Sequence, residues 1–428
     1  MNATAAMALS PLDAVRKAEA RLLLPTYDRH PVLFTRGRGV YLYDHTGRRY
    51  LDFLSGIGVN ALGHGHPAIR KALAAQAAKV LHISNLFYHE YQAELAGRLT
   101  RLAGLDRVFF SNSGAEAWEG ALKLARAYAQ QRGKPGRPAW RILALEHAFH
   151  GRTMGALSTT AAEKYRAPFE PLVPGVRFVR FNDVRDLERK FDKSVCAVAV
   201  EPLQGEGGIR PLSPEFMTAA RALSKDSGAL LLCDEIQCGL GRTGQPFAFQ
   251  GYRVKPDIVT IAKPLAGGLP MGAILTTEAV SRAMHPGLHG TTFGGGPMAC
   301  AAALAFLDVL EKPETLAHVK LMGAYFKRKL VELAARHEGV REVRGVGLML
   351  GMELDSAERA KAVFQGLLDR CIIANRTQEV VLRFLPPYII TARHVDVVIR
   401  ALDEVLGAGG PPAPPVPLPR APGPRRKS

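Results

Sequence analysis

Residues 229–244 read ALLLCDEIQCGLGRTG. Four apolar residues lead into two acids, and Gly239, Gly241 and Gly244 then spell G-x-G-x-x-G, the spacing of a dinucleotide-binding turn. Such a turn opens a helix, and an acid about 20 residues later ends the next strand. Here Gly244 is followed by QPFAFQG, where Pro246 and the lack of a helical period speak against a helix. Asp257 precedes the apolar run IVTIA rather than ending it. The fingerprint fails on its context. What remains is an apolar run without alternation, as expected for a parallel strand covered on both faces, with Asp234 at its end.

Outward from this strand the pattern repeats. RVFFSNS, RILALEH, VRFVRFND, VCAVAVE and DIVTIAK read as further strands between about Gly104 and Ala273. Segments such as EFMTAARALSKDSG carry helical spacing between them, with a glycine to end the helix. Strand–helix alternation predicts an α/β layer around a largely parallel sheet. Beyond TTFGGGP, residues 298–310 predict an Ala/Leu helix, HVKLMGAYFKRKLVELAARHEG an amphipathic one, and VRGVGLMLGMEL strand structure. These form a smaller α+β domain ending near Leu406. The last 18 residues contain eight prolines and cannot build a packed element.

At 428 residues the chain can bury a large core, and 47% apolar with 22% charged residues is the composition of a globular protein. No run reaches the roughly 18 apolar residues of a membrane span. The N-terminus lacks the charge pattern of a targeting peptide, which points to the cytoplasm. Five cysteines, without C-x-x-C spacing, fit a reducing compartment. The net charge of +17 raises nucleic acid as an alternative partner. However, Arg420, Arg425, Arg426 and Lys427 sit in the Pro-rich tail, and no basic stripe interleaved with aromatics accompanies them. Nucleic acid is therefore not expected. His64 and His66 in LGHGHP have no further His/Cys cluster beside them, so they are assigned to a turn and no metal site is expected.

Ligands of parallel α/β sheets bind beyond the carboxyl ends of the strands. Those ends carry Ser111-Asn112-Ser113, Glu146-His147, Glu201, Asp234-Glu235 and Lys263. In SNSGAEAWEGALKLARAY, Ser113-x-x-Glu116 fits a capping box, and the Ser-Gly-Ala turn would present unpaired N–H groups to a phosphate. An acid closing a buried strand needs a cation. A protonated pyridine nitrogen would serve. A lysine near its usual pKa of about 10.4 is almost wholly charged at neutral pH, so desolvation or covalent capture of an aldehyde would make Lys263 useful. Acid for a ring nitrogen, amine for an aldehyde and helix terminus for a phosphate together describe pyridoxal 5′-phosphate (PLP).

With these residues in place, the chain resembles the class III (subgroup II) aminotransferases, and within them the acetylornithine branch. The likeness runs in order over about residues 37–406, through YLDFLSGIGVNALGHGHP, SNLFY, FFSNSGAEAWEGALKLAR, HAFHGRT, VEPLQGEGG, LLCDEIQCGLGRTG, IAKPLAGGLPMG, HGTTFGGGP and VLRFLPP. It implies the PLP-dependent transferase fold type I. The N-terminal segment (1–60) would pack with the small domain, the large PLP-binding domain would cover 61–305, the small C-terminal domain 306–406, and a disordered Pro/Arg-rich tail 407–428.

The resemblance also implies roles. Lys263 would hold PLP covalently and later move protons, and Asp234 would pair with the pyridine nitrogen. Gln237 would reach the ring hydroxyl and Phe149 would stack on the ring. Ser113, Gly114 and Ala115 would hold the phosphate, joined by Thr292 from the neighbouring subunit of a homodimer with shared active sites. Arg383 would anchor the α-carboxylate of glutamate or 2-oxoglutarate, with Glu206 masking it when an ω-amino donor binds. Arg152 would meet the other carboxylate, and Thr291 would line the same pocket. The implied reaction passes the terminal amine of N2-acetylornithine to 2-oxoglutarate. Succinylornithine, N-succinyl-diaminopimelate, ornithine and 4-aminobutyrate are alternative donors. Three positions depart from the family pattern: Trp118 stands where asparagine is usual, Gly296 replaces asparagine in GGNP, and Cys238 occupies a position often held by threonine.

Overall fold

The computed structural model describes residues 9–132 and 139–407. Near the N-terminus, β1 (Phe34–Arg38), β2 (Tyr41–Asp44) and β3 (Arg49–Asp52) form an antiparallel meander. The central sheet takes β4 (Arg107–Ser111), β5 (Arg141–Leu145), β6 (Val176–Val179) and β7 (Val195–Val200). A short hairpin follows, β8 (Leu203–Gln204) with β9 (Arg210–Pro211). The central sheet is completed by β10 (Leu230–Asp234), β11 (Ile258–Ile261) and β12 (Gly272–Thr276), in the order β4-β12-β11-β10-β7-β5-β6.

Every residue of β7, β10, β11 and β12 is buried, which explains why these strands read as unbroken apolar runs. Helices Gly114–Arg132 and Pro214–Ser227 flank the sheet. Each fully buried large apolar side chain of these strands stabilises the fold by about 1.5–3 kcal/mol. β10 pairs in parallel with β7 and β11, and β5 pairs in parallel with β6 and β7. Only β12 runs the other way, antiparallel to both β11 and β4. Sequence reasoning missed it, because its five residues follow the Gly/Pro-rich PLAGGLPM without an intervening helix. The reversal leaves the carboxyl ends of the other strands at one edge.

In the C-terminal part, β13 (Val340–Val346) and β14 (Met349–Leu354) form a hairpin, so VRGVGLMLGMEL is two strands. After β15 (Ile372–Ile373) come β16 (Asn375–Thr377) and β17 (Val381–Phe384), giving an antiparallel sheet in the order β13-β14-β17-β16. Helices Pro313–Ala334, Ala357–Asp369 and Ala392–Gly407 belong to the same region. β15 pairs in parallel with β3, which ties the N-terminal meander to this end of the chain. The Pro/Arg-rich tail expected from residue 407 lies, beyond Gly407 itself, outside the described residues.

The G-x-G-x-x-G segment after β10 is a series of turns, with no helix. Gly241 and Gly244 adopt positive φ (97° and 83°), and a Cβ on Gly239 would lie 2.6 Å from the Glu235 carbonyl oxygen. The loop delivers Arg242, which is buried beneath the Tyr388 ring and donates to the carbonyls of Leu348 and Pro386. Its glycines allow close approach to Glu235, to Tyr388 and to the side chains of Leu310, Leu316 and Lys320. His64 binds Asp52 at 2.8 Å and His66 accepts the Ala68 N–H at the start of helix Pro67–Ala77, so both stabilise the LGHGHP turn.

Candidate active site

The strand ends meet around a cavity of about 520 Å³. Asp234, the last residue of β10, lies at its floor and is 4% exposed. One carboxylate oxygen accepts the Ile236 N–H at 3.0 Å, and the other meets His150 Nδ1 at 2.7 Å. The His150 ring in turn stacks on Trp118, with centroids 3.9 Å apart and planes 7° from parallel. Trp118 is locked by an Nε1–H bond of 2.8 Å to Thr159 Oγ1. A buried acid is thus held rigid by a histidine and an indole behind it. Sequence reasoning missed His150, although it stands beside Phe149 in HAFHGRT. It flagged Trp118 only as a departure.

Lys263 follows β11 by two residues and has φ of 27°, a conformation that costs an L-residue energy and tends to persist where a site requires it. Burial pushes its ammonium pKa below the usual lysine range; Asp234 and Glu206 oppose that shift and Arg383 reinforces it. The free amine, the only nucleophilic form, therefore appears at lower pH than for an exposed lysine. In the apoprotein, PLP capture measured against pH should rise with a midpoint below about 10.4. Asp234→Asn removes an opposing charge and should move the midpoint lower still; a midpoint at the ordinary lysine value would contradict the geometry.

The opposite wall is the start of helix Gly114–Arg132. Ser113 Oγ accepts the Glu116 N–H at 3.1 Å, as a capping box requires. The return bond differs from expectation. Glu116 accepts from the backbone N–H and the side-chain amide of Asn112, each at 2.9 Å, and so braces the preceding residue. A Cβ on Gly114 would sit 2.9 Å from the end of the Ile236 side chain, so any larger residue here would have to push Ile236 aside. Phe149 forms a side wall, its N–H held at 3.0 Å by Glu201. Burial, with help from the Asp234 charge, pushes the Glu201 carboxyl pKa up to about 7.

Two guanidinium groups flank the cavity. Arg152 lines it directly, with its charge 3.9 Å from the Tyr165 ring centroid and 5.6 Å from that of Phe149. No carboxylate lies within ion-pair distance of Arg152 among the described residues. Arg383 is different: it is 1% exposed and does not line the cavity. Its Nε donates to Asn375 at 3.0 Å, and its Nη1 donates to Gln237 at 3.2 Å and to Glu206. Glu206 and Gln237 face the cavity in its place. Burial works against the Glu206 charge, but Arg383, with Lys263 beyond it, holds the carboxyl below the usual range.

Thus Ser113, Gly114, Ala115, Phe149, Arg152, Glu206, Asp234, Gln237 and Lys263 all line one cavity. Arg383 stands behind Glu206. Thr291 and Thr292 do not line the cavity within the chain. Thr291 Oγ1 instead accepts from Asn112 and from the Gly294 N–H, each at 3.1 Å, and Thr292 is exposed.

The donor set fits PLP. A backbone cradle at a helix N-terminus suits the phosphate, a rigid buried carboxylate suits a protonated ring nitrogen, and a desolvated lysine suits the aldehyde. Comparison with known proteins agrees. The family described as aminotransferase class-III matches residues 24–406. The chain belongs to the class-III aminotransferases. Enzymes of this class depend on PLP, and its α/β architecture is that of fold type I.

Among curated class-III aminotransferases, the chain is 45% identical to the acetylornithine aminotransferase of Methanocaldococcus jannaschii, over 90% of this chain and 96% of that one. It is also 45% identical to the acetylornithine aminotransferase of Aquifex aeolicus, over 90% and 99%. Among solved structures it resembles the ornithine aminotransferase of Toxoplasma gondii, with a TM-score of 0.88, 31% identity, and coverage of 93% of this chain and 95% of that one.

Proposed function

We propose that this aminotransferase moves the terminal amino group of N2-acetylornithine to 2-oxoglutarate, giving N-acetylglutamate 5-semialdehyde and glutamate, as a step of arginine biosynthesis. The observation that carries this reading is the unequal pair of arginines. Arg152 is open to the cavity, whereas Arg383 is buried behind Glu206. N2-Acetylornithine has one carboxylate, far from its reacting amine; 2-oxoglutarate has two. Arg152 takes the distal carboxylate of either substrate as a planar fork. Arg383 is needed only for the carboxylate beside the reacting carbon. With Glu206 neutralising it, a donor whose terminal carbon bears no carboxylate meets no unpaired buried charge. The names of the 45%-identical relatives support the same donor.

PLP, when bound, supplies an aldehyde that takes up the amino group and a ring that withdraws electrons from the reacting carbon. The chain does the rest. Lys263 Nζ would take the proton from the donor's terminal carbon and, in the second half-reaction, supply one to the α-carbon of the new glutamate. Asp234, fixed by His150, holds a proton on the ring nitrogen. Phe149 would stack on the ring and exclude water, and N–H groups of residues 113–115 would retain the phosphate.

A homodimer belongs to this proposal. Leu86, Phe87 and Tyr88 are 87%, 66% and 101% exposed, and Phe293 is 64% exposed, an apolar surface larger than scattered single residues explain. Asn85 bonds the carbonyls of Thr291 and Gly294, so this surface is continuous with the segment carrying Thr292. A second copy covering it would bring Thr292 to the neighbour's phosphate. All five cysteines are free and buried, which fits a cytoplasmic enzyme. Among the described residues no helix is long and apolar enough to cross a membrane.

The reading is tested in two half-reactions on stoichiometric holoenzyme. N2-acetylornithine alone should discharge the visible absorption of the lysine-bound cofactor, and 2-oxoglutarate added afterwards should restore it with one glutamate formed per site. Discharge that requires both substrates together would rule out two separate half-reactions.

A further inference from the structure

Glu206 sits in the G-E-G-G loop between β8 and β9, and the loop has little freedom to move. A Cβ on Gly205 would lie 2.2 Å from Gln237, and one on Gly207 would lie 2.6 Å from Gln204 and 2.7 Å from the His147 carbonyl. Gly205 N–H donates to Glu201 at 3.2 Å, and the Gly208 carbonyl accepts from Arg344 at 2.7 Å. The Glu206 carbonyl itself receives two donors from one place, Thr377 Oγ1 at 2.5 Å and Gln378 Nε2 at 2.8 Å. They come from the last residue of β16 and from the turn that follows it, where Gln378 and Glu379 have positive φ (48° and 61°). Two consecutive non-glycine residues in that region carry strain that other contacts must offset.

The same hairpin carries the other half of the pair. Arg383 lies on β17 opposite Asn375 on β16, and Asn375 orients its guanidinium. One rigid hairpin therefore fixes the arginine at one end and the backbone of its masking glutamate at the other. The Glu206 side chain, in contrast, is about one-third exposed. It borders not only the cofactor cavity but a second cavity of about 590 Å³, whose lining brings the cations Lys164 and Arg376 together with Glu146, Glu163 and Glu379.

We propose that Thr377 and Gln378 are positioning residues for substrate alternation: they pin the Glu206 backbone so that Arg383 is unmasked by rotation of the Glu206 side chain alone, into the second cavity. The proposal rests on the reading of Arg383 as a masked carboxylate anchor. Pinning keeps the mask seated whenever no α-carboxylate competes for Arg383. It also makes unmasking a local event that leaves the loop under the cofactor undisturbed. Loss of the pin weakens the mask, so a dicarboxylate wins Arg383 more easily.

Glutarate, which has two carboxylates and nothing to transaminate, is the probe. Its dissociation constant is measured calorimetrically on holoenzyme, beside the rate constants of the two half-reactions. Thr377→Val should bind glutarate about three- to tenfold tighter, the scale of one lost hydrogen bond. The balance of kcat/KM between 2-oxoglutarate and ω-amino donor should shift toward 2-oxoglutarate by a similar factor. Thr377→Ser should restore both. Gln378→Ala, an exposed position that leaves no buried cavity, should shift both in the same direction. A glutarate complex should show the Glu206 carboxylate in the second cavity over an unmoved 205–208 backbone.

If Arg383→Ala loses glutarate binding while Thr377→Val and Gln378→Ala match the wild type, the pin is wrong and the anchor stands. A glutarate complex with the 205–208 backbone displaced would overturn the pin equally. If Arg383→Ala binds glutarate like the wild type, the anchor reading fails and the pin fails with it.

Discussion

Lys263→Ala should lower turnover by at least about 10²- to 10⁴-fold, the range for losing a positioned acid–base group. The loss has two sources. The variant has no amine to hold the cofactor's aldehyde carbon, and no base above the carbon from which the proton leaves. Its surroundings stay intact, because Asp234 is held by His150 and Ile236 and the phosphate cradle belongs to a separate helix. PLP should therefore still bind, without the visible band of the lysine-bound form. Spectra and bound phosphate content measured on the same sample check both halves. A variant that keeps the wild-type band would remove Lys263 from the chemistry, and one that no longer binds PLP would show that retention depends on the covalent link.

Arg383→Ala carries the second large effect. Truncating one partner of a buried, hydrogen-bonded charge pair costs about 2–5 kcal/mol, or about 30- to 4,000-fold. That loss should fall on kcat/KM for 2-oxoglutarate. The donor half-reaction should change by less than about tenfold, since the donor needs Arg152 and meets Arg383 only in its masked state. Arg383→Lys keeps the charge but lacks the planar fork held between Asn375, Gln237 and Glu206, so it should fall between wild type and alanine. Separate stopped-flow measurement of each half-reaction decides the matter. Equal losses in both halves would mean that Arg383 supports the fold of the site and does not select between substrates.

Much of this site was legible in the sequence, because a parallel sheet turns strand ends into neighbours. Asp234, Lys263 and Ser113 could be grouped on that rule alone, and the failed glycine fingerprint could be discarded for lack of a following helix. Other contacts were not legible. His150 meets Asp234 across 84 residues, and Trp118 meets Thr159 across 41. Thr377 reaches the Glu206 carbonyl across 171. None of these separations is encoded by a local period; each follows from how distant strands, helices and loops are brought together in the fold. β12 was missed for a related reason. A strand that enters a parallel sheet in reverse needs no crossover helix, so the alternation that revealed the others is absent.

The most direct measurement of donor identity is glutamate formation from 2-oxoglutarate by purified holoenzyme, with N2-acetylornithine, succinylornithine, N-succinyl-diaminopimelate, ornithine and 4-aminobutyrate compared at equal concentration. N2-acetylornithine should give the highest kcat/KM of the five. A higher value for ornithine or 4-aminobutyrate would contradict the assignment while leaving the aminotransferase chemistry in place.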